Sequence, residues 1–178
     1  MRGELARLAG AERGHFAFPS GFHGDLWLEL DALFARPAAV APFAAELARR
    51  VARHEPEVVC GPMTGGALLA QMVAAELGAE LSWSGLPGYA IPAALRGRLR
   101  GRQVAVVDDA INAGSATSAT IAALRACGAD VVAVGALMLL GGGYDPGVPI
   151  EHLETVASGL WPADACPLCA RGVPINAR

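Results

Sequence analysis

One stretch constrains the chain more than any other: Val104-Ala105-Val106-Val107-Asp108-Asp109-Ala110-Ile111-Asn112-Ala113-Gly114-Ser115-Ala116-Thr117. Its four leading apolar residues, three of them valine, read as a strand over 103–107 buried on both faces, the kind a parallel sheet requires. The strand ends in two adjacent carboxylates and runs through small residues into a helix expected over 115–127, with Gly128 as its cap. Unpaired backbone N–H groups and the positive end of a helix dipole make such a strand-to-helix loop an anion site. A phosphate therefore suits Asn112, Ala113, Gly114, Ser115, Ala116 and Thr117. Asp108 and Asp109 would repel that phosphate, so they point to hydroxyls or a metal ion instead. A sugar phosphate meets both requirements. The plain alternative is a capped helix behind a strand with Asp109 solvated, and it accounts for less of this context.

The rest of the chain supplies a matching frame. From residue 57 onward, strands expected over 57–60, 79–83, 103–107, 131–140 and 151–157 alternate with helices over 67–77 and 115–127. That alternation predicts an α/β fold with a parallel, doubly wound sheet, whose ligands sit beyond the carboxyl ends of the strands. Glycine-rich 61–66 forms a second such loop, Gly78 ends the first helix, and the glycine triplet 141–143 breaks the fourth strand. Upstream, Leu5 and Leu8 mark a short helix closed by Gly10, and residues 14–24 read as an ordered loop. Leu26, Leu28 and Leu30 alternate with polar or aromatic neighbours as a half-buried strand, and Pro37 opens an alanine-rich helix to about Arg53. No repeat or linker interrupts the 178 residues, which predicts one domain.

Composition narrows the chemistry. All 14 basic residues are arginine; the missing lysine excludes a Schiff-base enzyme and a P-loop NTPase. A net charge of −3 argues against a general nucleic-acid binder. The longest apolar run, over 131–143, is broken by glycines and falls short of the roughly 18 residues a membrane span needs. The first residues do not read as a signal peptide, and four cysteines do not suggest a disulfide scaffold, so a cytoplasmic protein is expected.

The 104–117 stretch resembles the phosphoribosyl pyrophosphate (PRPP) signature of the type I phosphoribosyltransferases, most closely the orotate phosphoribosyltransferases. Gly14-His15-Phe16 with Ser20-Gly21-Phe22-His23 resembles that family's base-side segment, and Cys60-Gly61-Pro62-Met63-Thr64-Gly65-Gly66 its pyrophosphate loop. Cys166-Pro167-Leu168-Cys169 followed by Gly172-Val173-Pro174 is similar to the end of some bacterial members.

The resemblance implies a type I phosphoribosyltransferase fold: a twisted, mostly parallel sheet flanked by helices. A small hood is expected from residues 1–35, a mobile loop over 84–102 and a C-terminal tail over 159–178. It also implies PRPP-dependent transfer of ribose 5-phosphate to a nitrogenous base, orotate, in pyrimidine nucleotide biosynthesis. Asp108 and Asp109 would be the catalytic pair on the ribose hydroxyls, with Ala110, Ile111 and residues 112–117 completing the PRPP site. Met63, Thr64, Gly65 and Gly66 would face pyrophosphate, while Phe18, Ser20, Gly21, Phe22, His23 and Asn112 would face the base. Mg2+ would be held mainly by PRPP and water, with no dedicated protein ligands. The expected assembly is a homodimer, with no nucleic acid and no membrane partner.

Several residues depart from the family. Its closing loop is rich in lysine and histidine, whereas the corresponding 82–100 has neither and offers Tyr89, Arg96, Arg98 and Arg100 as the larger donors. Leu139 and Leu140 stand near where the family places an Asp-Arg pair, with the arginine reading orotate. Two alternatives follow: a transferase for a base without a carboxylate, or a non-catalytic PRPP or nucleotide sensor. Cys166-x-x-Cys169 supplies two of the four ligands of a structural zinc. His152, Asp164 or a second copy's tail are the candidates to complete it, and packed free thiols are the favoured reading.

Overall fold

A computed structural model of the chain describes residues 3–18, 20–141 and 143–177. Gly142 of the glycine triplet lies outside the described residues, as do Met1, Arg2, Pro19 and Arg178. After the short helix α1 (Glu4–Leu8), the segment expected as a loop is instead a hairpin. Its strands β1 (Glu12–Ala17) and β2 (Phe22–Trp27) pair antiparallel. A bulge between Arg13 and Phe16 buries His15 and Phe16 in succession, so β1 lacks the alternation by which a strand is read. β2 stops at Trp27, and Leu30 starts a helix, α2 (Leu30–Phe34), where a strand was expected. Helix α3 (Pro37–Val51) begins on its proline and continues as a 3₁₀ turn over Ala52–His54.

The α/β pattern then follows the sequence. β3 (Val58–Pro62) leads to α4 (Gly65–Leu77), β4 (Glu80–Ser84), the short α5 (Ala93–Arg96) and β5 (Gln103–Ile111). Next come α6 (Ser115–Ala126), β6 (Asp130–Leu140) and β7 (Ile150–Val156). These five strands form one wholly parallel sheet in the order β4-β3-β5-β6-β7. β5 shows how it is covered. Ala105 and Val107 face the core shared with α3 and α4, through Leu47, Leu69 and Val73. Val104 and Val106 face the opposite core, with Ile121 and Leu124 of α6 and Ile91 and Leu99 of the 84–102 segment. Burial on both faces explains the unbroken valine-rich run. Leu137, fully buried in β6, is the kind of side chain whose truncation costs about 2–5 kcal/mol.

The C-terminal tail contributes a strand of its own. β8 (Leu160–Pro162) pairs antiparallel with β2, giving a small second sheet in the order β1-β2-β8. Three residues are too few to show a period, so only their pairing identifies them. This small sheet is therefore built from both ends of the chain. Beyond it lies α7 (Pro167–Ala170).

Candidate active site

β5 is longer than its valines suggest. Ala110 and Ile111 continue the ladder against Met138 and Leu139 of β6, which places Asp108 and Asp109 inside the strand rather than just past it. Successive strand residues point to opposite faces. Asp108 accordingly meets α6, where Thr117 Oγ1 donates to its Oδ2 across 3.0 Å. Asp109 meets the start of α4. A Cβ on Gly65 would overlap the Asp109 carboxylate, and one on Gly66 would lie 2.7 Å from Asp108 Oδ1. Only hydrogen fits at either position, which is the structural reason for the glycine pair.

Both carboxyls are nearly enclosed, at 7% and 9% exposure. Burial, reinforced by the neighbouring Asp109, pushes the Asp108 carboxyl up to about 8. The Thr117 hydroxyl and the Asp109 N–H, which donates to Asp108 Oδ1 at 3.1 Å, pull the other way. Asp109 is raised as well, first by burial, against the Ala110 N–H that donates to its Oδ1 at 2.7 Å. Groups of this kind gather where chemistry is done.

A cleft of about 380 Å³ opens over this end of β5, lined by Asp108, residues 110–117, Phe18, Ser20, Tyr89 and Leu160. Gly114, at φ +74°, turns the chain into α6, and a Cβ there would strike the Tyr144 ring. Ser118 Oγ donates to Tyr144 Oη at 3.0 Å, fastening that ring to the helix. An adjoining cavity of about 520 Å³ shares Asn112, Ala113 and Leu160 and adds Phe22, Tyr144, Ser158 and Trp161. The Ser158 hydroxyl is buried there without a hydrogen-bond partner.

The expected site residues thus fall into groups. Asp108 and residues 110–117 line one cleft, with Asp109 behind them against Gly65. Phe18, Ser20 and Asn112 face the same cleft, and Phe22 faces the adjoining cavity. Gly21 sits in the hairpin turn at φ +81°. Thr64, Gly65 and Gly66 stand at the N-terminus of α4, with Met63 exposed before them. His23 lines neither cavity; its Nδ1 lies 3.3 Å from Cys169 Sγ. Tyr144, Ser158 and Leu160 were not singled out from sequence, although Tyr144 directly follows the glycine triplet that ends a buried strand.

No arginine lines either cavity among the described residues. Arg98 pairs with Glu80 at 2.9 Å, Arg102 with Glu57 at 2.8 Å, and Arg96 Nε donates to the Ile91 carbonyl at 2.8 Å. Leu140 is buried in the core beside α3 and α4, and Leu139 packs against the core on the other face.

The cysteines need one correction. Neither His152 nor Asp164 joins Cys166 and Cys169: His152 Nε2 instead meets Thr155 Oγ1 at 2.9 Å on β7. The hairpin brings His15 and His23 to the thiols. Cys60, in β3, is pushed up to about 12 by burial and is unreactive.

No family model matches the chain. The orotate phosphoribosyltransferase of Thermus thermophilus is 33% identical over 178 residues, covering 97% of this chain and 97% of the relative. The chain belongs to the orotate phosphoribosyltransferase family. The orotate phosphoribosyltransferase of Thermotoga maritima is 32% identical over 178 residues, covering 96% of this chain and 92% of the relative. Among solved structures, the orotate phosphoribosyltransferase of Aeropyrum pernix superposes with a TM-score of 0.66 at 23% identity, over 85% of this chain and 93% of the other. The adenine phosphoribosyltransferase of Thermoanaerobacter pseudethanolicus also gives 0.66, at 19% identity, over 85% and 99%. The fold is that of the type I phosphoribosyltransferases. Membership of the orotate phosphoribosyltransferase family makes the chain an enzyme of the glycosyltransferase kind and displaces the sensor reading. No helix among the described residues is long and apolar enough to cross a membrane.

Proposed function

We propose that the chain transfers ribose 5-phosphate from PRPP to orotate, as a cytoplasmic homodimer using Mg2+. The observation that carries this reading is the pair of buried carboxylates on β5, held between Thr117 and the Gly65-Gly66 corner, with Asp108 opening onto the small-residue start of α6. Backbone N–H groups over 112–117 hold the 5′-phosphate, whose charge the helix dipole favours. Asp108 and Asp109 accept hydrogen bonds from the ribose hydroxyls, beside those they already accept from Thr117 and from the Asp109 and Ala110 N–H groups. The N-terminus of α4, from Thr64 to Gly66, faces pyrophosphate.

Bond breaking at the anomeric carbon expels pyrophosphate while a ring nitrogen of the base forms the new C–N bond. The transition state resembles an oxocarbenium ion, and Asp109, on the ribose side, steadies its positive charge. Asp108 and Asp109 are too few to cage a divalent ion, so Mg2+ would be held mainly by PRPP and water. When bound, it supplies neutralisation of the pyrophosphate charge. The tip of the 84–102 segment closes over the site and excludes water, carrying Tyr89 at its cavity edge, while Ile91 and Leu99 anchor the rest in the core.

A second reading, a base without a carboxylate, is favoured by the buried Leu140 and the arginine-free lining. An unpaired buried carboxylate costs several kcal/mol; for orotate, the Ser158 hydroxyl and the Asn112 amide are among the donors lining the cavities. PRPP consumption measured across purines and pyrimidines tests both. Turnover with orotate alone supports the first reading, and turnover only with non-carboxylated bases supports the second. No heat on titrating PRPP and Mg2+ would overturn both.

A further inference from the structure

We propose that His15, His23, Cys166 and Cys169 form a structural zinc site that staples the C-terminal tail to the hood. The four ligand atoms all lie within 4.8 Å of one another. His15 Nε2 is 3.1 Å from His23 Nδ1, 3.5 Å from Cys166 Sγ and 3.7 Å from Cys169 Sγ, and Cys169 Sγ is 3.3 Å from His23 Nδ1. A tetrahedral zinc with bonds of about 2.0–2.1 Å to nitrogen and about 2.3 Å to sulfur sets its N–N and N–S edges at roughly 3.3–3.6 Å. The four N–N and N–S distances above, 3.1–3.7 Å, lie close to those edges.

Hydrogen bonding alone accounts for the cluster poorly. The Val173 carbonyl, 2.8 Å from His15 Nδ1, can only accept, so Nδ1 carries the proton and Nε2 presents a single lone pair. Three groups crowd that lone pair, and one metal ion resolves the crowding. A ligand histidine oriented by a carbonyl on its other nitrogen is the usual outer-shell arrangement. His15 is further clasped through its backbone: its N–H donates to Asn176 Oδ1 at 2.9 Å, and its carbonyl accepts from the Asn176 N–H at 2.7 Å.

Local structure explains how the ligands converge. The bulge in β1 turns His15 inward beside Phe16, while His23 comes from β2, opposite Ala17 and Trp161. Pro167 starts the single turn of α7, so Cys166 and Cys169 lie three residues apart on one side of it. His15 and Cys166 are buried, whereas Cys169 is at the surface. Binding releases one proton from each thiol, and two thiolates with two neutral imidazoles cancel the charge of a divalent cation. A neutral centre suits that depth. Thiolate and imidazole donors in a four-ligand set select zinc, and four protein ligands leave no open position for substrate. The role is structural: the metal ties β1 and β2 to the tail just past β8, whose Leu160 lines the candidate cleft.

The test uses the full chain purified under reducing conditions from zinc-supplemented cells. Elemental analysis is expected to find one zinc per chain, and cobalt replacement to give the intense visible bands of tetrahedral sulfur–nitrogen coordination. Cys169→Ser, at the surface, is expected to lose stoichiometric zinc and melt at a lower temperature, whereas Cys127→Ser keeps both. Wild-type protein with well under one zinc per chain and only weak octahedral cobalt bands would overturn the site. So would full zinc retention by Cys169→Ser, or a Cys166–Cys169 disulfide in the reduced preparation.

Discussion

Thr117 Oγ1 donates to Asp108 Oδ2 across 3.0 Å, joining the first turn of α6 to the last residues of β5 in a buried environment. The bond opposes the effect of burial on Asp108 and sets the direction of its carboxylate. Leaving a buried carboxyl without one of its hydrogen-bond partners costs about 1–3 kcal/mol. Thr117→Val is therefore expected to lower kcat/KM for PRPP by roughly ten- to a hundredfold, with Thr117→Ser recovering most of it. Steady-state kinetics on the two variants checks this.

Gly65 has no room for a methyl group, because the Asp109 carboxylate occupies that space. Gly65→Ala should displace Asp109 while leaving the parallel sheet intact. Misplacing a catalytic group by an ångström costs on the order of a hundredfold in rate. Circular dichroism is expected to stay native while kcat falls by about that factor; undiminished turnover would contradict the placement of Asp109.

The raised carboxyls predict a pH dependence of stability with a definite sign. The folded protein holds its protons on Asp108 and Asp109 at a higher pH than the unfolded chain does. Their contribution is thus fully present below the ordinary carboxylate range and is lost as pH rises toward about 8, the Asp108 value. Asp109→Asn removes part of that loss. Its melting temperature should exceed the wild type's at pH 8 and match it more closely at pH 5, while transferase activity collapses. Thermal melts at the two pH values decide it.

Arg98 and Glu80 form an exposed pair, with 64% and 40% of their side chains open to solvent. Such pairs contribute about 0–1 kcal/mol, so Arg98→Ala should leave the melting temperature nearly unchanged. Closure of 84–102 over bound PRPP predicts a different signal: slower amide hydrogen exchange in that segment when PRPP and Mg2+ are present. Exchange indifferent to ligand would rule out the lid.

Much of the parallel sheet is legible in the sequence, because doubly buried strands and the helices between them leave local signatures. Val104 to Val107 and Ile121 with Leu124 are examples. The hairpin was not legible. A bulge at His15 erases alternation, and a three-residue β8 is too short to have any. Leu30 shows the opposite failure, an apolar residue in step with a strand that its chain leaves for α2.

By itself the sequence determined the alternation of strands and helices from β3 to β7, the acidic end of β5 and the small-residue entry to α6, since each depends on neighbours within a few residues. Tertiary structure decided what surrounds them. Asp108 and Asp109 are raised because α4 and α6 exclude water from both faces of β5. His15 finds Cys166 across 151 residues of chain, where no local pattern could join them. Short-range periodicity builds elements, but burial and ligand sets arise only where elements distant in sequence are packed together.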